Sequence, residues 1–178
     1  MRPPAGLRYA LASMDEELRK LLMKKAGALL ARREYSRGEL RTRLSKMAGE
    51  PLVESVLARL EQLNLLNDDD YAYNFASCRM RREGWGPAKV KDALFRRLVS
   101  RAAIERALAR VQDELRPDAI LEAYVEKYFG KHGTPANPKE IQRFVLHLQR
   151  RGFDEAAVRG ILKRRAPAAA MRRFETGE

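Results

Sequence analysis

Three short corners recur along the chain about 50 residues apart, and a similar helical pattern of apolar residues follows each of them. The corners are Tyr35-Ser36, Trp85-Gly86-Pro87 and Asn137-Pro138. A fixed period of this length is typical of repeat proteins, in which one supersecondary unit is copied along the chain. Because each unit packs mainly on its neighbours, such chains form elongated bodies. The spacing therefore predicts three tandem three-helix repeats in an elongated, curved array.

The residues between the corners favour helices throughout. They are rich in Ala, Leu, Arg, Lys and Glu, which are good helix formers, and long alternating runs of β-branched residues are absent from the sequence. We therefore predict an all-α protein. The predicted repeats cover residues 14–66, 67–116 and 117–166, flanked by a flexible N-terminal arm at residues 1–13 and a flexible C-terminal tail at residues 167–178.

The first predicted repeat begins with a helix at Met14, where acidic residues occupy the first turn, as the helix dipole favours. Ser36 and Glu39 have the spacing of a capping box, which predicts that the second helix begins there. Helical spacing places Leu21 on the apolar face of the first helix and Met47 on that of the second.

Residues 65–98 are predicted to form two helices joined by a tight corner. Asn67 and Asp68 can cap the first of these helices, since a short side-chain oxygen accepts an unpaired backbone N–H there. The single cysteine, Cys78, is expected on the apolar face of this helix as a small buried hydrophobe. The apolar stripe predicted for the second helix consists of Val90, Leu94 and Leu98.

The chain carries 36 basic and 24 acidic residues, a formal net charge of +12. Such an excess is the electrostatic footprint of a protein that binds a polyanion. Because the excess is spread over all three predicted repeats, it suits a surface that follows a long nucleic acid or nucleoprotein. The alternative is a helical protein whose many Lys and Arg side chains are solvated and contact no ligand.

The sequence offers little support for catalysis or metal binding. His132 and His147 belong to different predicted elements and have no Cys or His at ligand spacing, so we interpret them as surface or structural residues. A helix start explains the acids at 68–70 better than a cation site does. We predict a protein that is not an enzyme and needs no cofactor or metal. With one cysteine and no long apolar run, a cytoplasmic protein without membrane contact is expected.

Two groups of basic residues are the candidate contacts with a polyanion. They are Arg81, Lys89, Lys91, Arg96 and Arg97 in the second repeat and Arg150, Arg151, Arg159, Lys163, Arg164 and Arg165 in the third. Tyr35 and Trp85 could either stack on bases or pack their corners. Arg79 projects into an apolar face and needs a partner, which is either a carboxylate such as Asp68 or Asp92 or an acidic group of a ligand.

The combination of these motifs resembles the RecX family of bacterial recombinase regulators over roughly residues 20–165. The match is strongest at residues 65–79 and at the Gly-Trp-Gly-Pro corner of residues 84–87. Asn64 and Leu98 stand where the family usually has Gly, and Asn67 stands where it often has Asp, so local turns are expected to differ. The motif residues that the resemblance implies to be structural are Ser36, Glu39, Leu40, Asp68, Tyr71, Phe75, Arg79, Gly86 and Pro87.

The resemblance implies a non-enzymatic regulator that binds the RecA recombinase and its filament on single-stranded DNA, limiting filament extension, ATP hydrolysis and strand exchange. We hypothesise that a monomer bridges neighbouring RecA subunits, and both filament-end capping and groove coating remain open. The alternative function is a stand-alone, helix-turn-helix-like DNA-binding module. It is weaker, because the helix after Pro87 offers Lys89 and Lys91 near its start but no Asn or Gln.

Overall fold

The computed structural model describes residues 5–167 and 171–174, including their side chains except those of residues 5–12 and 117. The described residues form α-helices joined by short turns, with no β-strand, and none of these helices is long and apolar enough to cross a membrane. The predicted all-α fold class is confirmed. In chain order the helices are α1 (Ala5–Leu30), α2 (Arg37–Leu44), α3 (Glu50–Gln62), α4 (Asp68–Glu83), α5 (Pro87–Phe95), α6 (Arg101–Glu114), α7 (Pro117–His132), α8 (Pro138–Arg150) and α9 (Glu155–Arg165).

Short polar side chains cap several of these helices. The predicted capping box is present at α2, where the Ser36 hydroxyl accepts the Glu39 N–H at 3.1 Å and the Glu39 carboxylate accepts the Ser36 N–H at 3.3 Å. The Asn67 side chain accepts two N–H groups at the start of α4, and Asn137 and Asp154 cap α8 and α9. These caps satisfy donors that a helix leaves unpaired at its first turn.

The helices α2, α5 and α8 begin at the three corners of the sequence. This recurrence is consistent with three-helix repeats, whose boundaries stay a prediction. Packing divides the chain into two compact units. The first unit is Met1–Tyr71 with Arg97–Ser100, and the second is Ala72–Arg96 with Arg101–Glu178.

In the first unit, α1, α2 and α3 pack around one apolar core. Leu22 and Ala26 of α1 are fully buried and lie one helical turn apart. Tyr35 and Ser36 are buried as well, so the corner before α2 belongs to the core. The other residues of this core are Leu40, Leu44, Val53, Val56, Leu57, Leu60 and Leu66.

In the second unit, α5 packs on α6, and α9 packs on α7 and α8. The Phe144 ring of α8 lies 4.9 Å from the ring centroids of both Tyr128 and Phe129, which brings α7 and α8 side by side. Each helix of this unit buries aliphatic residues on one face, as an amphipathic helix does. The buried aliphatic residues include Val90, Leu94, Ile104, Val111, Leu121, Val125, Ile141, Leu148, Val158, Ile161 and Leu162.

Both ends of the chain are helical where the structure describes them, and the flexibility predicted for them stays a prediction. The first helix begins at Ala5, so the predicted helix start at Met14 was wrong. In the predicted tail, residues 171–174 form a helical turn in which the Met171 N–H donates to the Pro167 carbonyl at 3.0 Å. The Met171 side chain is buried there, and burial of an apolar side chain favours the ordered turn. Residues 1–4, 168–170 and 175–178 lie outside the described part.

Several residues predicted to be buried are exposed. Cys78 is exposed because α4 buries a stripe through Ala76 and Met80, and a residue midway between them points to the opposite side of a helix. Leu21 and Met47 are also exposed, the first beside the buried stripe of α1 and the second beyond the end of α2. Leu98 was predicted to lie on the apolar stripe of α5, but it is 56% exposed because α5 ends at Phe95.

Candidate functional site

The second compact unit contains an open groove with a volume of about 1030 Å³, bordered by the end of α4, the start of α5, α7 and the last turn of α8. Its lining combines positively charged side chains with aromatic and imidazole rings. Glu83, whose carboxylate pairs with Arg79, also lines the groove. The charged and ring-bearing residues that make the groove basic and aromatic are Arg81, Arg82, Lys89, Lys127, Lys131, Arg150 and Arg151, with Trp85, Tyr124, Tyr128, His132 and His147.

One wall of this groove depends on a close backbone contact between the corner before α5 and the end of α8. The Gly86 N–H donates to the Arg151 carbonyl at 2.7 Å, and the Ala88 N–H donates to the Gly152 carbonyl at 3.2 Å. A Cβ atom at Gly86 would lie 2.3 Å from the Gly152 carbonyl carbon, so only glycine permits this approach. The contact places Lys89 and Arg151 on the same groove.

Cations cover several rings of the groove. The Arg151 guanidinium carbon lies 4.3 Å from the Tyr124 ring centroid, and the guanidinium also donates to the Glu83 carbonyl. The Lys89 ammonium lies 4.3 Å from the Trp85 ring centroid. Such cation–π contacts hold long, flexible side chains in place.

Trp85 and Tyr35 pack against their corners, which is one of the two alternatives predicted for them. The Trp85 ring meets the Phe75 ring edge to face, with centroids 6.3 Å apart. Tyr35 is buried, and the Arg33 guanidinium carbon lies 3.8 Å from its ring centroid. Both rings therefore stabilise their corners.

A cluster of rings lies between α7 and α8. Its centre is Tyr128, whose ring centroid lies 4.5 Å from that of His132, 4.9 Å from that of Phe144 and 5.0 Å from that of His147. The Tyr124 hydroxyl oxygen lies 2.6 Å from His147 Nε2. Because Tyr124, Tyr128 and His132 are spaced four residues apart on α7, they form one row on its surface.

The protonation of His147 follows from its surroundings. Burial lowers the pKa of His147 below its usual value of 6.5, and electrostatic interactions with Arg151, His132, Arg150 and Lys89 lower it further. The imidazole is therefore neutral at pH 7, and the Nε2 atom of a neutral ring can accept a hydrogen bond from the Tyr124 hydroxyl. This contact agrees with the prediction that His147 is a surface or structural residue.

The charge of the groove is only partly neutralised. Arg81 forms an ion pair of 2.9 Å with Glu114, which also accepts the Tyr73 hydroxyl at 2.7 Å. The other six groove cations have no carboxylate of the described residues within 4.0 Å. Four of these six are exposed, namely Arg82, Lys127, Lys131 and Arg150. The groove therefore presents a positive surface to solvent.

The structure brings four of the predicted contact residues together in this groove, namely Arg81, Lys89, Arg150 and Arg151. The other predicted contacts do not line it. They are Lys91, Arg96, Arg97, Arg159, Lys163, Arg164 and Arg165. Three of these form exposed ion pairs, with distances of 2.6 Å (Arg159–Glu155), 3.0 Å (Arg164–Glu122) and 3.3 Å (Arg165–Glu126). Their contact roles stay predictions.

The sequence interpretation missed the contribution of α7 to the groove. Lys127 and Lys131 lie one turn apart, as do Tyr128 and His132, and this pattern of alternating cations and rings was a usable signal. Arg82 was missed for a different reason. It joins the groove only because the end of α4 lies beside α7, and local sequence spacing does not encode that contact.

The family-motif residues of the first unit form a polar network. The Asp68 carboxylate accepts the Arg37 N–H at 2.7 Å, and the Tyr71 hydroxyl donates to the Glu39 carboxylate at 3.4 Å. The Ser36 hydroxyl donates to the Arg97 carbonyl. These contacts support the structural role implied for the motif.

Arg79 differs in detail from the prediction. It forms its ion pair with Glu83, one turn further along α4, and not with Asp68 or Asp92. Asp68 already accepts the Arg37 N–H, and Glu83 has the spacing that favours ion pairs within a helix. The guanidinium carbon also lies 5.2 Å from the Trp85 ring centroid.

Comparison with known proteins identifies the family. A family model described as the second three-helix domain of RecX matches residues 67–108. A regulatory protein RecX from Pseudomonas syringae pv. tomato is 35% identical over 126 residues, which are 70% of this chain and 79% of that protein. The chain belongs to the RecX family. Another regulatory protein RecX, from Halorhodospira halophila, is 35% identical over 150 residues, covering 84% of this chain and 88% of that RecX protein.

Solved RecX structures share the fold. The crystal structure of RecX from Lactobacillus salivarius has a TM-score of 0.74 at 19% identity and covers 84% of this chain and 97% of that one. A second crystal structure, of a regulatory protein RecX, has a TM-score of 0.70 at 16% identity and covers 88% of this chain and 76% of that one. The resemblance to RecX inferred from the sequence motifs is confirmed, and with it a regulatory role.

Proposed function

We propose that this RecX-family protein binds the RecA filament on single-stranded DNA and limits its extension, ATP hydrolysis and strand exchange, without catalysing a reaction itself. Membership of a family of regulatory proteins supports the regulatory part of this proposal. The observation that carries the nucleoprotein part is the groove of the second unit, where four predicted contact residues meet further cations and rings.

The groove has the chemistry that a nucleic acid requires. Arg82, Lys127, Lys131 and Arg150 are exposed and have no carboxylate partner among the described residues, so a phosphate that approaches them displaces no internal ion pair. Neutralising phosphates also releases condensed counterions, which makes such binding favourable and dependent on salt. The single-stranded DNA in a RecA filament carries such phosphates.

The proposed regulation acts through binding alone. A protein that occupies the nucleoprotein limits growth if it covers the surface on which the next RecA subunit assembles. It limits ATP hydrolysis if it binds one conformation of the filament more tightly than the others, because a ligand stabilises the state that it prefers. Both end capping and groove coating satisfy this requirement.

The test is RecA's ATPase activity on single-stranded DNA, measured while this protein is titrated in at two salt concentrations. We compare the wild type with the double variant Lys127→Glu/Lys131→Glu. The matched control is Lys24→Glu/Lys25→Glu, which changes the charge equally on exposed residues of α1. We expect the groove variant to need about tenfold more protein for half-inhibition, because each lost phosphate contact weakens polyanion binding. The control should stay within about twofold of the wild type.

The stoichiometry of inhibition distinguishes the two modes of action. Inhibition well below one copy per RecA supports end capping, whereas inhibition near saturation supports groove coating. No inhibition by the wild type, together with sequence-dependent binding to duplex DNA, would contradict the proposal and favour the stand-alone DNA-binding module.

A further inference from the structure

The imidazole of His132 forms the exposed end of the ring cluster in the groove. Its centroid lies 4.5 Å from that of Tyr128, with an angle of 36° between the ring planes. Behind it, the half-buried Tyr128 ring rests on Phe144, which is only 3% exposed. His132 is therefore an exposed ring supported by a ring that the core holds in place.

Such a ring is suited to stack on a nucleobase. A flexible side chain loses conformational freedom when it orders against a ligand. The contact with Tyr128 restricts His132 before any ligand arrives, which reduces that loss. Unpaired bases offer a face for stacking on aromatic side chains. In a duplex, the neighbouring base pairs already cover these faces.

Phosphate-binding groups lie next to this ring on the same face of α7. Residues 124, 127, 128, 131 and 132 follow the helical spacing of i, i+3, i+4, i+7 and i+8, so they share one face. Lys127 and Lys131 place two cations among the rings, and Arg150 of α8 adds a third in the same groove. Rings and cations thus alternate over a helix length of about 12 Å.

We infer that the groove binds single-stranded nucleic acid with an unpaired base stacked on the His132–Tyr128 ring pair and the flanking phosphates on Lys127, Lys131 and Arg150. This inference deepens the proposed function, on which it rests for the presence of single-stranded DNA. It assigns the recognition of unpaired strands to two rings of this chain. The competing explanation is that His132 and Tyr128 form only a packing pair within α7.

The experiment measures direct binding of the full chain to fluorescent oligonucleotides by anisotropy, without RecA. One probe is an oligothymidylate, and the other has the same length and phosphates but abasic sugars. The ratio of the two dissociation constants isolates the contribution of the bases. We expect the wild type to bind the oligothymidylate about 5- to 100-fold more tightly than the abasic strand, as base stacking on a protein ring predicts.

Three variants separate the contribution of the His132 ring to binding from the contribution of the positive charge. His132→Ala should reduce the ratio by about fivefold or more, because the exposed stacking surface is lost. His132→Phe keeps a ring and should retain the ratio. Lys127→Ala should weaken binding to both probes by the same factor and leave the ratio unchanged, since both strands carry the same phosphates.

The outcomes decide the inference without reference to RecA. An unchanged ratio in His132→Ala, a ratio of one in the wild type, or no binding of either probe would overturn it. Thermal unfolding of each variant checks that the fold is intact, and His132 is exposed, so its replacement leaves the core unchanged. A ring-dependent ratio alongside unimpaired RecA activity would reject the proposed function and leave this inference standing.

Discussion

Asp68 combines a structural hydrogen bond with an unfavourable environment for its charge. Its carboxylate accepts the Arg37 N–H at 2.7 Å. Burial raises the pKa of Asp68 above its usual value of 3.8, and the Arg37 hydrogen bond and charge offset this only in part. The folded state therefore binds this proton more readily than the unfolded state, and the charge of Asp68 opposes folding most at neutral pH.

Two replacements of Asp68 separate these effects. Asp68→Ala leaves the Arg37 N–H without its acceptor and should lower the free energy of unfolding by about 1–3 kcal/mol. Asp68→Asn keeps an acceptor without the charge and should be at least as stable as the wild type at pH 7. Urea unfolding at pH 7 and at about pH 4 measures both variants, and the advantage of Asn should shrink in acid. An equal loss in the free energy of unfolding for Asp68→Ala and Asp68→Asn would contradict this account.

Leu98 adopts a backbone conformation that leucine disfavours. Its φ angle is +59°, in the left-handed region where a Cβ atom costs about 1–2 kcal/mol. Leu98→Gly should raise the free energy of unfolding by about 0.5–1 kcal/mol, since the exposed side chain contributes little burial. Chemical denaturation measures this change.

Leu63→Gly is the matched control for Leu98→Gly. Leu63 is also exposed but has a φ of −84°, so glycine relieves no strain there. The control should be destabilised by about 0.5–1 kcal/mol through the added flexibility of glycine in the unfolded chain. If both variants lost stability equally, strain at Leu98 would be disproved.

His147 should make stability depend on pH near neutrality. Because burial and nearby positive charges lower its pKa in the folded state, the unfolded chain binds a proton first as the pH falls below 6.5. The folded state should therefore lose stability below that pH. Circular dichroism melting between about pH 7.5 and 5.5 should show a steeper decrease in Tm for the wild type than for His147→Gln. Parallel curves would show that His147 does not carry this dependence.

At the scale of the helices, two similar contacts join a corner to a helix end. The corner before α2 meets the turn after α5, where the Ser36 hydroxyl donates to the Arg97 carbonyl. In the second unit the corner before α5 meets the turn after α8 through the Gly86 N–H and the Arg151 carbonyl. Both helix ends turn through a residue with positive φ, which is Leu98 in the first case and Gly152 in the second. The same contact is thus made with different residues.

Gly86→Ala tests the second of these contacts. Its new Cβ would lie 2.3 Å from backbone atoms of Gly152, so the two helix ends must separate, and we expect a loss of at least about 2–3 kcal/mol in the free energy of unfolding. Gly130→Ala is the control, because Gly130 lies inside α7 with no atom within 4 Å of the new Cβ. That change should stabilise the protein by about 0.8–1 kcal/mol. Urea unfolding compares the two, and equal effects would contradict the proposed contact.

The sequence predicted helices and caps better than it predicted buried faces. Ser36 and Asn67 cap helices where local spacing placed them, because a cap involves residues within one turn. Cys78 and Leu98 were assigned wrongly, because burial depends on which neighbouring helix a face meets. The turn at Leu98 was signalled only by the glycine that the family usually has there.

At the scale of the whole molecule, the net charge of +12 favours a polyanionic ligand but does not predict where such a ligand would bind. Basic residues occur along the entire sequence, and many form ion pairs in the structure, as Arg159 and Arg164 do. The groove is distinguished by cations that lack such partners among the described residues and by rings between them. Only the packing of α4, α7 and α8 brings these side chains together, so residue spacing alone could not locate the groove.

The salt dependence of binding to single-stranded DNA should report on these unpaired cations. If Lys127 and Lys131 each contact a phosphate, Lys127→Ala/Lys131→Ala should make the slope of log K against log salt shallower by about 1.4. Lys24→Ala/Lys25→Ala should leave the slope unchanged. Anisotropy titrations from about 50 to 200 mM salt measure both slopes, and a slope unaffected by the groove variant would exclude phosphate contacts there.

The exposed position of Cys78 has a practical consequence. The chain contains one thiol, and it lies on the solvent side of α4, two residues before the Met80 that begins the lining of the groove. A maleimide dye or a nitroxide can therefore be attached to the natural sequence at a single defined point. Energy transfer from that point to a labelled DNA end would track occupancy of the groove in real time, without engineered cysteines.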